Sequence, residues 1–209
     1  NIHPGIDASG THPMQQSASS PSAPDSAPQA ATWSFLWRHP AHVLGLGLGS
    51  GLSPMAPGTM GTLCGWALFA VLRLLLPIWA QGTAVAAAIA LGWWVCTVTA
   101  RNLRQPDPGS IVWDEIAAFW LVLWLLSPSA TRSIAWVGGW QQAVVEVVAF
   151  ALFRYFDAAK PGPVRWADSI FKGTGWRGGW GIMFDDLVAA FCTLLALALA
   201  LHVMQLVMQ

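Results

Sequence analysis

The chain has 209 residues, 55% of them hydrophobic and 10% charged, with 14 tryptophans against one tyrosine and a formal net charge of zero. A charged fraction this far below the roughly 25% of soluble domains, with several long apolar runs, predicts an all-α, polytopic integral membrane bundle. Zero net charge gives a nucleic-acid partner no electrostatic support, and the length allows one domain with a tail.

Residues 1–32 are rich in Ser, Pro and Ala and contain no Lys or Arg. They read as a disordered tail ahead of a membrane-embedded domain over 33–209. No basic stretch precedes an apolar one there, so the tail does not read as a secretory signal. Trp33 to Pro40 reads as an approach along the bilayer interface, where Trp is favoured and Arg38 meets headgroups.

The next stretch, His42 to Thr59, spaces its glycines as GxGxGxG and not as GxGxxG, and no Walker lysine follows. It reads either as a tightly packed short helix with a Pro-broken loop, or as a re-entrant loop. In the second case its N–H groups and the hydroxyls of Ser50, Ser53 and Thr59 would meet a phosphate. His42 is kept as a candidate because it precedes this loop. His39 and His202 are isolated, His3 and His12 lie in the tail, and Cys64, Cys96 and Cys192 read as small apolar packing residues.

Apolar runs long enough to be tested as spans follow at about Thr59–Leu76, Thr83–Ala100, Ile111–Leu126, Ile134–Phe153 and Leu187–Val207. Arg73 near the end of the first is placed to snorkel, and Glu146 sits in the middle of the fourth. With five spans, Arg38, Arg101, Arg104, Arg154, Lys160, Arg165, Lys172 and Arg177 fall on one side, against Arg73 and Arg132 on the other. That asymmetry makes the first side cytoplasmic.

The acids collect on the same side. Asp114 and Glu115 open the third span, Asp157 closes the fourth, Asp185 and Asp186 open the fifth, and Asp168 comes from the loop between. Carboxylates at the ends of apolar helices are costly and usually functional. One acid per helix end would serve the helix dipole, but two adjacent ones at two separate helices exceed that need. Clustered carboxylates call for a cation, and oxygen-only ligands favour Mg²⁺. Arg154, Lys160 and Arg165 nearby add the positive charge expected where a phosphate binds beside a metal, so the pattern points to phosphoryl chemistry on a lipid.

Several blocks together resemble bacterial phosphatidylglycerophosphatase A. They are HVLGLGLGSGLSP (His42–Pro54), PGTMG (Pro57–Gly61), GSIVWDE (Gly109–Glu115), FRYFDAAKP (Phe153–Pro161), PVRWAD (Pro163–Asp168) and GWGIMFDD (Gly179–Asp186). The resemblance runs from about Arg38 to the C-terminus and omits the tail. It implies a Mg²⁺-dependent phosphatase of the bacterial inner membrane that converts phosphatidylglycerophosphate to phosphatidylglycerol and inorganic phosphate. It also implies that the family's acidic positions are Asp114, Glu115, Asp157, Asp168, Asp185 and Asp186, with Lys160 as their basic partner. The resemblance does not assign the metal ligands; the arrangement at the helix ends suggests that Glu115, Asp157 and Asp186 hold Mg²⁺, with Asp185 or Asp114 as the general base. Arg154, Lys160, Arg165, His42 and the 50–59 loop would hold the phosphate.

Two other functions compete. A CDP-alcohol phosphatidyltransferase needs DGxxAR followed by GxxxDxxxD, and neither run is present. A small transporter would use Glu146 and the Gly/Pro-broken segment, but it would carry its carboxylates at the midplane. Oligomeric state is left open.

Overall fold

The structure is a computed structural model and describes residues 27–127, 140–171 and 173–207. Most of the tail, together with Arg132 and Lys172 from the basic-residue tally, lies outside the described residues. Every regular element described is helical: α1 (Trp33–Leu36), α2 (Pro40–Gly45), a 3₁₀ turn (Gly47–Leu52), α3 (Pro57–Leu75), α4 (Ile78–Leu103), α5 (Trp113–Leu125), α6 (Trp140–Ala159), α7 (Gly162–Ile170) and α8 (Gly175–Val207).

Local chemistry sets the helix ends. Pro57 opens α3, where its fixed φ suits the first turn and its missing N–H goes unneeded. At the end of α4, Arg104 turns left-handed (φ 56°) and Gln105 N–H donates back to the Ala100 carbonyl at 3.2 Å. In the glycine-rich stretch the chain turns left-handed over Gly47, Leu48 and Gly49. At Gly49 (φ 101°) a side chain would also run into the ring of Trp33, so both backbone and packing require glycine.

Among the described residues, three helices are long and apolar enough to cross a membrane: α3, α4 and α8. Two of the expected spans differ from these. Helix α5 has 13 residues, about 20 Å against a hydrocarbon core of about 30 Å. Helix α6 is 20 residues long but carries Gln141, Gln142, Glu146, Arg154 and Asp157. The last helix starts at Gly175, well before the expected boundary at Leu187.

Helix α5 is the centre of the bundle. It packs against α3, α4, α6 and α8, and Ile116, Ala117, Ala118, Phe119, Val122 and Leu123 are fully enclosed. Its tryptophans reach outward for acceptors. Trp113 Nε1 donates to the Ala88 carbonyl of α4, Trp120 Nε1 to the Gly65 carbonyl of α3, and Trp124 Nε1 to the Ile78 carbonyl of α4. In a medium without water these indoles need such partners.

Glu146, the mid-span acid, is buried on α6 and accepts three hydrogen bonds. Arg73 Nη1 donates at 2.7 Å, Trp66 Nε1 at 2.8 Å and Gln142 Nε2 at 2.9 Å. Arg73 therefore turns inward to an ion pair and also lies over the Phe69 ring. Removing one member of such a pair leaves the other charge uncompensated. Glu146→Ala is expected to lower stability by about 2–3 kcal/mol, and Arg73→Met with Glu146→Met to recover most of it, read from thermal unfolding in detergent.

Candidate active site at the polar helix ends

The acidic residues come from four elements that meet at one end of the bundle. Asp114 and Glu115 lie in the first turn of α5, Asp157 in the last turn of α6, Asp168 on α7, and Asp185 and Asp186 on α8. Asp114, Asp185 and Asp186 are buried. Asp186 lies within Coulombic reach of Asp157, Asp114, Asp185 and Glu115, and Asp114 within reach of Glu115, Asp185 and Asp157.

Two cations organise these carboxylates. Arg154 Nη1 donates to Asp157 Oδ2 at 2.5 Å and stands 3.1 Å from Glu115 Oε1, which joins α6 to α5. Lys160 Nζ donates to Asp168 Oδ1 at 2.7 Å and to Asp185 Oδ2 at 2.6 Å, joining α6, α7 and α8. Lys160 adopts φ 43° as it ends α6, with its N–H on the Phe156 carbonyl. A non-glycine residue in that conformation costs about 1 kcal/mol or more, a cost offset here by two charge-assisted hydrogen bonds. Burial alone would lower the Lys160 pKa, but the hydrogen bonds to Asp168 and Asp185 reverse this and raise it above its ordinary value. The ammonium therefore stays charged at neutral pH. Its contribution to stability is fully present below the ordinary lysine value and is lost only as pH rises through the higher folded one.

Glu115 makes a second contact that fixes its position. Its carboxylate lies against the backbone of Gly58 in the first turn of α3, where any Cβ would collide with it, and Thr62 Oγ1 approaches Oε2 at 3.5 Å. The PGTMG block thus supplies a bare backbone surface for an acidic side chain from α5. Among the described residues, no three His, Cys, Asp or Glu side chains converge as a metal-ligand set. Arg154 lies between Glu115 and Asp157, and Lys160 lies between Asp168 and Asp185. Asp114 Oδ1 is buried with no hydrogen-bond partner.

The remaining candidates sit elsewhere or are otherwise engaged. His42 is buried, stacked on Phe35 at 3.9 Å. Its Nδ1 pairs with the Phe35 carbonyl and its Nε2 with the Asn102 amide. These partners require Nδ1–H and a bare Nε2, the neutral tautomer, and burial lowers the pKa in the same direction. Ser50 Oγ donates to the Gly47 carbonyl and Ser53 Oγ to the Met55 carbonyl, so both hydroxyls brace their own loop. Thr59 lies half-buried in the first turn of α3, and Arg165 is exposed on α7.

Asp107 is an addition. It borders a cavity of about 520 Å³ together with Asp168 and Asp185, and its charge acts on Asp185. Its signal in the sequence was an acid held between Pro106 and Pro108, just ahead of the GSIVWDE block.

The family model described as PgpA, phosphatidylglycerophosphatase A, matches residues 43–201. The chain is 39% identical over 151 residues to phosphatidylglycerophosphatase A of Escherichia coli, covering 72% of this chain and 77% of the relative. It is 40% identical over 152 residues to phosphatidylglycerophosphatase A of Haemophilus influenzae, covering 73% and 83%. A Bacteroides thetaiotaomicron protein, provisionally named a phosphatidylinositol-3-phosphatase, is 35% identical over 161 residues, covering 76% and 91%. No solved structure matches. With the family model spanning the bundle and all six clustered acids, this chain belongs to the phosphatidylglycerophosphatase A family.

Proposed function

We propose that this protein, a lipid phosphatase of the phosphatidylglycerophosphatase A type, hydrolyses the terminal phosphomonoester of phosphatidylglycerophosphate at the cytoplasmic face of a bacterial inner membrane. The products are phosphatidylglycerol and inorganic phosphate. The observation that carries the reading is the cluster itself: Asp114, Glu115, Asp157, Asp168, Asp185 and Asp186 gathered around Arg154 and Lys160.

The membrane frame is five spans, with α5 and α6 added to the three membrane-length helices. A helix as short as α5 is tolerated because most of its surface meets protein, so little of its backbone must face lipid. If residues 187–207 of α8 cross the hydrocarbon, Asp185 and Asp186 lie at its boundary, at headgroup depth. The 43–58 segment caps this side of α5, where the Val112 N–H donates to the Gly45 carbonyl at 2.9 Å. The lipid's acyl chains stay along the apolar helices, so the substrate reacts without leaving the bilayer.

The donor set suits Mg²⁺. Every candidate ligand is a carboxylate oxygen, six acids face two bases, and Asp114 Oδ1 is buried without a partner. The residues that would hold the ion are Glu115, Asp157 and Asp186. Mg²⁺, when bound, supplies positive charge for the phosphoryl oxygens. The rest of the work falls to the chain. Lys160, oriented by Asp168 and Asp185, and Arg154 hold the non-bridging oxygens of the terminal phosphate. The unpartnered oxygen of Asp114 supports that residue as the base that takes a proton from the attacking water. Asp185, already accepting from Lys160, is better placed to orient it. The new P–O bond forms to the water oxygen, the bond to the glycerol oxygen breaks, and that oxygen is released as a hydroxyl on taking up a proton.

Purified protein in mixed micelles is expected to release phosphate from phosphatidylglycerophosphate, to stop on addition of EDTA and to resume with excess Mg²⁺. Asp157→Asn and Asp186→Asn are each expected to lower kcat/KM by about 10²-fold or more. Mg²⁺ should raise the melting temperature of the wild type but not of Asp186→Asn, a readout independent of turnover. Near-normal activity in both variants at saturating Mg²⁺ would remove the metal assignment. Phosphatidylinositol 3-phosphate, assayed in parallel, separates the two substrate names carried by the relatives.

Gly58→Ala tests the seat of Glu115. The added methyl collides with the carboxylate while a helical first turn accepts alanine readily. Activity is expected to drop about tenfold or more with little change in melting temperature.

A further inference from the structure

The cavity bordered by Asp107, Asp168 and Asp185 has a neighbour. A second cavity, of about 410 Å³, shares Pro106, Gly173 and Gly178 as its wall. Its side chains are of opposite sign: Arg101 and Arg104, from the last turn and the end of α4. The two cavities thus lie side by side, the first acidic beside Lys160 and the second basic.

The substrate of the proposed reaction has matching chemistry. Its terminal phosphomonoester must reach the Lys160 and Arg154 cluster. Across a short polyol it carries a second anion, the phosphodiester that joins the headgroup to diacylglycerol. A guanidinium pair is suited to hold such a group by charge-assisted hydrogen bonds, and a carboxylate such as Asp107 is suited to accept from a hydroxyl of the intervening polyol. Simple placement of cations at a helix C-terminus explains the arginines' charge. It does not explain their lining a cavity that shares Pro106, Gly173 and Gly178 with the one bordered by Asp168 and Asp185.

We infer that Arg101 and Arg104 form a subsite for the non-reacting phosphodiester of the substrate. The site thereby selects lipids carrying both a phosphodiester and a phosphomonoester over those carrying a phosphomonoester alone. This rests on the phosphatase reading given above. Arginines that contact only the non-reacting phosphate act through binding, so their loss falls on KM more than on kcat.

The test uses the full chain in mixed micelles, with phosphatidylglycerophosphate and phosphatidic acid as substrates and phosphatidylglycerol as product inhibitor. For Arg101→Gln with Arg104→Gln, the ratio of kcat/KM between the two substrates is expected to fall about tenfold or more. KM for phosphatidylglycerophosphate should carry most of the change, and inhibition by phosphatidylglycerol should weaken to a similar extent. Arg101→Lys and Arg104→Lys, which keep the charge, should recover part of the selectivity, and each single Gln variant gives the same reading if the double variant is unstable. An unchanged ratio with unchanged product inhibition, or an equal loss on both substrates, overturns the subsite and leaves the phosphatase intact. If the wild type releases no phosphate from phosphatidylglycerophosphate, the underlying reading fails and the subsite with it.

Discussion

The architecture depends on one enclosed helix. Helix α5 is too short to cross a bilayer alone, and Ile116, Ala117, Ala118 and Phe119 in its first half are fully buried. Ala117 and Ala118 let neighbours approach closely, and Phe119 fills the space towards α6, where it meets Phe150 and Phe153. Because α5 cannot slide or turn within this packing, Asp114 and Glu115 at its first turn have a fixed depth and direction. Neighbouring groups are set against them: Arg154 reaches Glu115, Gly58 yields space to its carboxylate, and Asp186 lies within Coulombic reach of both from α8.

Helix α6 is oriented from its opposite end. Glu146, Phe153, Arg154 and Asp157 recur at helical spacing on one side of α6. The Glu146 contacts with Arg73 and Trp66 of α3 lock the rotation of the helix two turns before Arg154. The ion pair thus acts as a rotational pin that keeps Arg154 and Asp157 turned toward the site and away from lipid. A purely apolar α6 would bury as much surface with less control of its azimuth, because Leu and Val side chains leave neighbouring rotations close in energy.

Much of this was legible in the chain before any coordinates. Paired acids at the mouths of two apolar runs, and a further acid and base around Pro161 and Pro163, announced where polar groups would gather. Length and composition were enough to mark the membrane helices α3 and α4. Contacts between distant residues were not legible. Arg73 and Glu146 lie far apart in sequence, and each alone reads as a snorkelling or stray charge. His42 looked available beside a glycine-rich loop, but only packing reveals that Phe35 and Asn102 satisfy both ring nitrogens. The early start of α8 was hidden for a different reason. The GWRGGWG run disfavours helix by propensity, yet its glycines let the helix press against Thr97 of α4, where a Cβ at Gly179 would collide. Tertiary packing overrode the local preference.

The cross-helix indole hydrogen bonds have a consequence for assembly. An apolar helix in lipid gains little from one axial setting against its neighbour over another, because hydrocarbon solvates both equally. An indole N–H that must find a carbonyl breaks that degeneracy. A slip of one residue moves the acceptor by about 1.5 Å and rotates it by about 100°, leaving the donor stranded in a medium that offers no substitute. Trp113, Trp120 and Trp124 repeat this check along three levels of α5. The tryptophans of the central helix therefore proofread the alignment of α3 and α4 as the bundle closes, and misaligned intermediates are penalised before the carboxylates meet.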